Sequence, residues 1–128
     1  MTLVIDASFT VPACTTPGGF DRLGDELVAP PLLWPEARSV LHRSVWRGVI
    51  AAHVGEHALQ RLEQAPVRSR NPRGLGASVW SIATELGWAK TYDAEYLALA
   101  RLLGAPLLSL DRRMLRAAER LGITTAEL

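Results

Sequence analysis

The sequence predicts an α/β protein built around a mainly parallel β-sheet. Short runs of β-branched and aliphatic residues, typical of buried strands, recur along the chain, and segments with helical periodicity lie between them. This alternation is the usual pattern of parallel α/β folds. At 128 residues the chain is expected to form a single domain, residues 1–128, which is long enough to bury a substantial core.

The first half of the sequence predicts two strands and three helical segments. In order, these are a strand at 2–6, a helical segment at 7–16, a strand at 26–29, a helix from about Pro35 and a second amphipathic helix at 53–65. Proline is favoured at the first position of a helix, so Pro35 marks the beginning of the second helix. Pro12 fits the first helical segment poorly, because a proline beyond the first turn removes a backbone hydrogen bond.

The second half continues the alternation. It predicts a short strand near Val67, a helix at 75–88 that ends around Gly87, a helix at 94–104, a strand at 106–110, a final helix ending at Gly122 and an edge strand at 123–128. Glycine closely followed by proline commonly ends a helix, and Gly104 and Pro106 supply that signal. Because helices separate the successive strands, neighbouring strands are expected to run parallel.

The composition is that of an ordinary globular chain, with 48% hydrophobic and 21% charged residues. No apolar run approaches the roughly 20 residues that a membrane span requires, and the N-terminus lacks the basic region of a secretory signal. The single cysteine, Cys14, excludes an internal disulfide and fits a reducing cytoplasm, where we expect the protein to reside. We expect Cys14 to be a small buried residue rather than a nucleophile.

Charge is nearly balanced, with a formal net charge of +1, so the sequence lacks the overall basic character that marks many nucleic-acid-binding proteins. All but one of the 14 basic residues are arginines, which cluster at 68–73 and 112–120. The planar guanidinium group suits phosphate recognition. Arg112 and Arg113, directly after Asp111, are the candidates for phosphate contacts; a solvated helix face is the alternative interpretation.

The sequence gives little support for a histidine metal site or for a catalytic nucleophile. His53 and His57 are four residues apart, but the residues between them do not form an H-E-x-x-H motif. We therefore interpret both, together with His42, as solvent-facing residues. No G-x-S-x-G motif indicates acyl chemistry, and no glycine-rich loop follows the first strand to indicate a nucleotide site.

Four acidic residues occupy distinctive positions. Asp6 ends the first predicted strand, Glu36 lies in the first turn of a helix, Asp93 opens a helix and Asp111 follows a late strand. Each of the last three has a local explanation, because acids near helix N-termini satisfy free N–H groups and complement the helix dipole. All four, however, are expected outside the carboxyl ends of the strands, where ligands of open α/β sheets gather.

Converging carboxylates would repel one another, and some would have to take up a proton. A hard divalent cation such as Mg²⁺ or Mn²⁺ removes this difficulty, because it prefers oxygen ligands, few protein carboxylates and several waters. Such an ion can activate water and neutralise phosphate charge. The four acids together therefore favour phosphodiester hydrolysis.

Three segments of the sequence resemble the PIN domain family and, more narrowly, the VapC-type ribonuclease toxins of bacterial type II toxin–antitoxin systems. They are "VIDASFTV" at 4–11, "APPLLWPEARSVL" at 29–41 and "TYDAEYLALARLLGAPLLSLDRRML" at 91–115. The resemblance follows the order of the family across nearly the whole chain and is weakest at 48–75. The last segment is the most specific of the three.

The resemblance implies a three-layer α/β/α sandwich with a mainly parallel central sheet and an acidic pocket that binds Mg²⁺ or Mn²⁺. It implies an endoribonuclease that cuts RNA with metal-activated water and is held inactive by a cognate VapB-like antitoxin; a homodimer is also expected. The implied catalytic and metal-binding residues are Asp6, Glu36, Asp93 and Asp111, supported by the hydroxyl groups of Ser8 and Ser109.

Other functions stay open at this point. A catalytically inactive PIN-fold interaction protein is disfavoured by the presence of all four acids, and a DNA-directed PIN nuclease by the short chain, which has no arch or clamp insertion. A phosphotransferase that uses Asp6 as its nucleophile would want a second acid two residues later, where the sequence has Ser8.

The aromatic residues near these motifs also allow two interpretations. Trp46, Trp80 and Trp88 are expected to pack in the core or a dimer interface, with base stacking as the alternative. Tyr92 and Tyr96, on either side of the third acid, are expected to pack rather than to bind a ligand.

Overall fold

Strands alternate with single helices or helix pairs along the chain, in the order that the sequence predicts. The computed structural model describes residues 1–21, 23 and 25–127, which form four strands and six helices. The strands are β1 (Thr2–Ile5), β2 (Glu26–Ala29), β3 (Val67–Ser69) and β4 (Leu107–Leu108). The helices are α1 (Ala7–Thr15), α2 (Leu33–Trp46), α3 (Ala52–Glu63), α4 (Leu75–Leu86), α5 (Tyr92–Leu103) and α6 (Arg112–Arg120).

The four strands form one sheet in the order β3-β2-β1-β4, and every pairing is parallel. The predicted α/β class and parallel sheet are therefore confirmed. Strand β1 lies inside the sheet, between β2 and β4. Because parallel strands all end at the same edge, the residues that follow β1 and those that follow β4 become neighbours in space.

The helices cover the sheet and complete a three-layer α/β/α sandwich, as predicted. Helices α1, α2 and α3 contact one another, α4 contacts α5, and α5 packs on β1 and β4. The strands are buried, as expected for a parallel sheet with helices on its faces: Val4, Ile5, Val28 and Leu107 are fully buried. None of the helices in the described part of the chain is both long enough and apolar enough to cross a bilayer.

A small second core lies among α1, α2 and α3. Its buried members are Cys14, Ala37, Leu41, Ala58 and Leu62. Burial raises the pKa of the Cys14 thiol to about 11, so the thiolate that a nucleophile requires is strongly disfavoured. The prediction that Cys14 is a structural residue is confirmed.

Several element boundaries differ from those predicted. Helix α2 begins at Leu33, two residues before the predicted start, and Pro35 is tolerated there because the first-turn N–H groups have no partner within the helix. Helix α1 continues through Pro12 to Thr15. The predicted strand at 106–110 contracts to Leu107–Leu108.

The predicted edge strand at 123–128 is wrong as a full strand. In its described part, only Thr125 bridges to Leu107, in parallel orientation, and Leu128 lies outside the described residues. Backbone hydrogen bonds on either side of the bridge join Leu107 to Thr124 and Ala126. Strand β4 is itself very short, so it offers little backbone for a longer pairing.

The tryptophans divide between core and surface. Trp88 packs against the main core, as predicted. Trp46 and Trp80 are 79% and 73% exposed, so core packing is wrong for both. The histidines are exposed, as predicted, and the rings of His53 and His57 meet edge to face at 6.5 Å.

Leu62→Ala should lower the free energy of unfolding by about 2–5 kcal/mol, because it removes a fully buried side chain from the small core and leaves a cavity. Leu59, one turn earlier on α3, is 37% exposed and provides the matched control; Leu59→Ala should cost less than half as much. Urea denaturation measures both losses. Equal losses would contradict the position of the small core.

Candidate active site

An acidic cavity of about 920 Å³ opens at the carboxyl edge of the sheet. All four acids that the sequence singled out line this cavity: Asp6, Glu36, Asp93 and Asp111. Ser8 lines it as well, whereas Ser109 lies buried behind Asp6. The sequence analysis missed two cations in its lining, Arg43 and Lys90. Helical spacing could have indicated the first, which lies two turns after Glu36.

Asp6 is the deepest of the acids, with 3% of its surface exposed. It follows β1 directly and caps α1, because its Oδ1 accepts a hydrogen bond from the Phe9 N–H at 3.2 Å. The Ser8 hydroxyl donates to the same oxygen at 2.7 Å, and the Ser109 hydroxyl donates to Oδ2. The carboxylate is therefore held at both oxygens in a single orientation.

The two serine hydroxyls also join the end of β4 to the beginning of α1. The Ser8 Oγ accepts a hydrogen bond from the Leu110 N–H at 2.8 Å, and the Ser109 Oγ accepts one from the Asp111 N–H at 3.1 Å. The two oxygens lie 3.2 Å apart. Each hydroxyl thus donates to Asp6 and accepts from the backbone that leads into α6.

Glu36 is held by a tyrosine that the sequence analysis assigned only to packing. The Tyr96 hydroxyl donates to the Glu36 Oε1 at 2.8 Å, while the ring is fully buried. Tyr96 lies three residues after Asp93 on α5, so both side chains project from one helix face. This spacing is the signal that could have revealed the phenol as part of the site.

Asp93 lies at the rim of the cavity and has a cationic neighbour. The Arg113 guanidinium approaches its Oδ2 at 3.7 Å and lies over the Trp88 ring, 4.5 Å from the ring centroid. Such a position fits a cation–π contact. Arg113 is therefore held by a carboxylate and an aromatic face at once, whereas Arg112 lines a different cavity near the C-terminal segment.

Asp111 caps a helix and also lines the acidic cavity. Its Oδ1 caps α6 by accepting from the N–H groups of Arg113 at 2.8 Å and Met114 at 3.4 Å. Its negative charge also raises the pKa values of Asp6 and Asp93, which places it within electrostatic reach of both. Glu36 and Asp93 lie in the first turns of their helices.

The electrostatics of the cavity disfavour its own negative charge. Burial raises the pKa of the Asp6 carboxyl, and the hydrogen bonds from Ser109, Ser8 and Phe9 offset this effect only in part. Burial likewise raises the pKa of the Glu36 and Asp93 carboxyls, with neighbouring acids adding to both effects. The site therefore favours either protons or a bound cation.

The carboxylates do not form a ready-made chelate. Within the described residues, no three acidic, histidine or cysteine side chains are arranged so that together they could hold one ion. Mg²⁺ typically takes only one or two carboxylates directly and keeps several waters. The donor set, which consists of oxygens only, still fits a hard cation of this kind.

A parallel α/β/α sandwich that brings four acids together in one cavity at the carboxyl edge of its sheet has the architecture of a PIN domain. No family model matches the chain. Two curated relatives, a VapC ribonuclease of Mycobacterium bovis and ribonuclease VapC9 of Mycobacterium tuberculosis, are each 32% identical to it over 114 residues, which cover 88% of this chain and 87% of the relative. The chain belongs to the VapC family of PIN-domain ribonuclease toxins.

Solved structures support the same fold. PAE2754 of Pyrobaculum aerophilum superposes with a TM-score of 0.75 at 21% identity, covering 91% of this chain and 84% of its own. VapC20 of Mycobacterium tuberculosis, a toxin that cleaves the sarcin–ricin loop, superposes with a TM-score of 0.68 at 14% identity, covering 98% and 99% of the two chains.

Glu36→Gln should stabilise the protein in EDTA at neutral pH, because glutamine keeps an acceptor for Tyr96 and removes the disfavoured charge. A carboxyl whose pKa is raised by folding contributes its full stability below its ordinary value of 4.5 and loses that contribution as the pH rises through the folded value. The variant should therefore melt a few degrees higher than the wild type near neutral pH, with little difference near pH 4.

Thermal melts at both pH values measure this difference. Glu56 is an exposed acid on α3, and Glu56→Gln serves as the control that should leave both melting temperatures unchanged. A Glu36→Gln protein that melts below the wild type near neutral pH would contradict the electrostatic account.

Proposed function

We propose that the acidic cavity is the active site of a Mg²⁺- or Mn²⁺-dependent endoribonuclease, and that the chain is the toxin of a toxin–antitoxin pair. The observation that carries the proposal is the convergence of four acids, from the ends of two strands and the first turns of two helices, on one cavity. Membership of a family whose curated relatives are named ribonucleases supports RNA as the substrate.

The cavity favours a cation for a physical reason. Asp6, Glu36 and Asp93 all have raised pKa values, so a bound cation would relieve the cost of their ionisation at neutral pH. These three acids and Asp111 are the residues that would hold it, some of them through water. Bound there, the cation would supply Lewis-acid activation of water and neutralise phosphate charge.

The remaining residues of the site orient the acids. Ser8 and Ser109 fix both oxygens of Asp6, and Tyr96 fixes one oxygen of Glu36, whose other oxygen accepts no hydrogen bond from the described residues. Preorganised groups of this kind spare the site a reorganisation when substrate binds. Asp111 has one oxygen committed to the cap of α6, and its other oxygen is the one that would serve the site.

The proposed function also implies two protein partners, an antitoxin and a second copy of the chain. A toxin of this family would be held inactive by a cognate VapB-like antitoxin, and we propose that the active form is a homodimer. Exposed aliphatic side chains, among them Val49, Leu102 and Leu110, supply apolar surface of the kind that protein contacts use.

Purified protein, freed of antitoxin, should cut total RNA into discrete fragments with Mg²⁺ or Mn²⁺ and should not cut it in EDTA. Asp6→Asn and Asp93→Asn should each reduce cleavage by at least about 100-fold, the scale expected for loss of a catalytic group. Asp93→Asn matters especially, because Asp93 lies at the rim and caps no helix, so a folding defect is not expected. Gel analysis of the RNA gives the readout.

Glu56→Gln, an exposed acid outside the cavity, is the control and should cleave as the wild type does. Absence of metal-dependent cutting by well-folded protein would contradict the proposal and favour an interaction protein. Cutting of DNA rather than RNA would favour a DNA-directed nuclease of the same fold.

Arg113→Gln should weaken RNA binding more than Arg112→Gln, because Arg113 lies beside the acidic cavity and its neighbour lines a different one. In a Glu36→Gln background, the slope of log K against log salt should become shallower by about 0.7 for each lost phosphate contact. Fluorescence anisotropy with labelled RNA measures both quantities. Equal effects of the two substitutions would indicate that they belong to one solvated helix face.

A further inference from the structure

The exposed face of α2 carries a continuous row of cationic, polar and aromatic side chains, called the α2 stripe. Its spacing of three and four residues keeps the row on one side of the helix. Every member is exposed, whereas Leu33, Ala37 and Leu41 on the opposite side are buried. The α2 stripe consists of Pro35, Arg38, Ser39, His42, Arg43 and Trp46.

The α2 stripe is continuous with the acidic cavity. Its six residues line a shallow depression of about 490 Å³, and three of them, Pro35, Ser39 and Arg43, line the acidic cavity as well. Trp46 lies ten residues after Glu36, which is about 15 Å along the helix axis. A chain that enters the acidic cavity can therefore continue along α2 over the length of a few nucleotides.

The charges along the stripe favour an anionic polymer. Arg38 forms an ion pair with Glu63 at 3.3 Å, but Arg43 has no ion-pair partner among the described residues. No acidic side chain belongs to the stripe. Arg43 is therefore an exposed cation that lines both the stripe and the acidic cavity, where it could contact a phosphate next to the scissile bond.

The aromatic end of the stripe favours a single strand. Trp46 is 79% exposed, which leaves a large aromatic face in water at an energetic cost. Unpaired bases stack on such faces, and this stacking is largely independent of sequence. Trp80 is exposed to a similar degree, but it lies on α4 and lines neither the stripe depression nor the acidic cavity. Trp46 therefore differs from Trp80 in its position on the stripe, not in its exposure.

We propose that the α2 stripe binds the single-stranded RNA that flanks the scissile phosphodiester, with Arg43 contacting a phosphate and Trp46 stacking on a base. The proposal rests on the ribonuclease function proposed above and adds a substrate subsite to it. Binding of this kind contacts the RNA backbone and one base, and it does not require a long specific nucleotide sequence.

The test measures RNA binding rather than cleavage. In an Asp93→Asn background with Mg²⁺ present, fluorescence anisotropy reports binding of a labelled random-sequence single-stranded RNA of about 12 nucleotides. Trp46→Ala should weaken binding by roughly 5- to 100-fold, the range for loss of one base stack. Trp80→Ala is the matched control and should change binding by less than about twofold.

Arg43→Gln should weaken binding and make the salt dependence shallower by about 0.7 in slope. Arg120→Gln, in the last turn of α6 and outside both cavities, is its control. Trp46→Phe keeps a stacking ring, so it should bind RNA nearly as well as the background but lose most of the RNA-induced quenching of tryptophan fluorescence. Trp80→Phe should keep that quenching, which separates stacking from any effect on folding.

The outcomes separate the subsite from the nuclease. If the wild type cleaves RNA and the stripe variants bind as the background does, the subsite is wrong and the proposed function stands. If the background binds no RNA and the wild type cleaves none, both fail. If Trp46→Ala changes the oligomeric state in size-exclusion chromatography and leaves RNA binding unchanged, the exposed ring belongs to a contact between two copies of the chain, and the subsite is overturned.

Discussion

The buried carboxylate of Asp6 is the contact on which both the fold and the site depend. It ends β1, caps α1 through the Phe9 N–H and accepts the hydroxyl of Ser109 from beyond β4. Strand β4 is only two residues long, and these side-chain bonds add to its pairing with β1 and to the burial of Leu107 and Leu108. Burial of a charge is costly unless the charge is well hydrogen-bonded, and each of these donors lowers that cost.

Each of the other three acids is likewise positioned by a hydrogen bond or an ion pair with neighbouring groups. Tyr96 donates to Glu36, Arg113 lies beside Asp93, and backbone N–H groups of α6 occupy one oxygen of Asp111. These contacts fix positions without neutralising the cavity, since Asp6, Glu36 and Asp93 all keep raised pKa values. A site that is unfavourable for its own charge and rigid in its geometry is suited to binding a cation.

Much of this arrangement could be predicted from the sequence, for a topological reason. Alternating strands and helices predict a parallel sheet, and a parallel sheet brings Asp6 and the residues after β4 to one edge wherever they stand in the chain. The exposure of Trp46 and Trp80 was not predictable, because helical periodicity identifies a face but not whether another element covers it. The hydrogen bond from Tyr96 to Glu36 depends on how α5 packs relative to α2, which no local sequence pattern predicts. The length of the strand predicted at 106–110 depended on its pairing partners.

The orientation of helix α2 about its own axis determines which of its residues face the core, the acidic cavity and the solvent. Leu33, Ala37 and Leu41 fix one side of the helix against the interior, and the exposed stripe follows on the opposite side. Glu36 and Val40 occupy the row between these sides, where side chains are only partly buried, and this border position lets Glu36 reach Tyr96 while still facing the cavity. A rotation of α2 that moved Glu36 would also move Arg43 and Trp46, because all three side chains project from the same helix. The acid and the proposed RNA subsite are therefore set by the same packing of three aliphatic side chains.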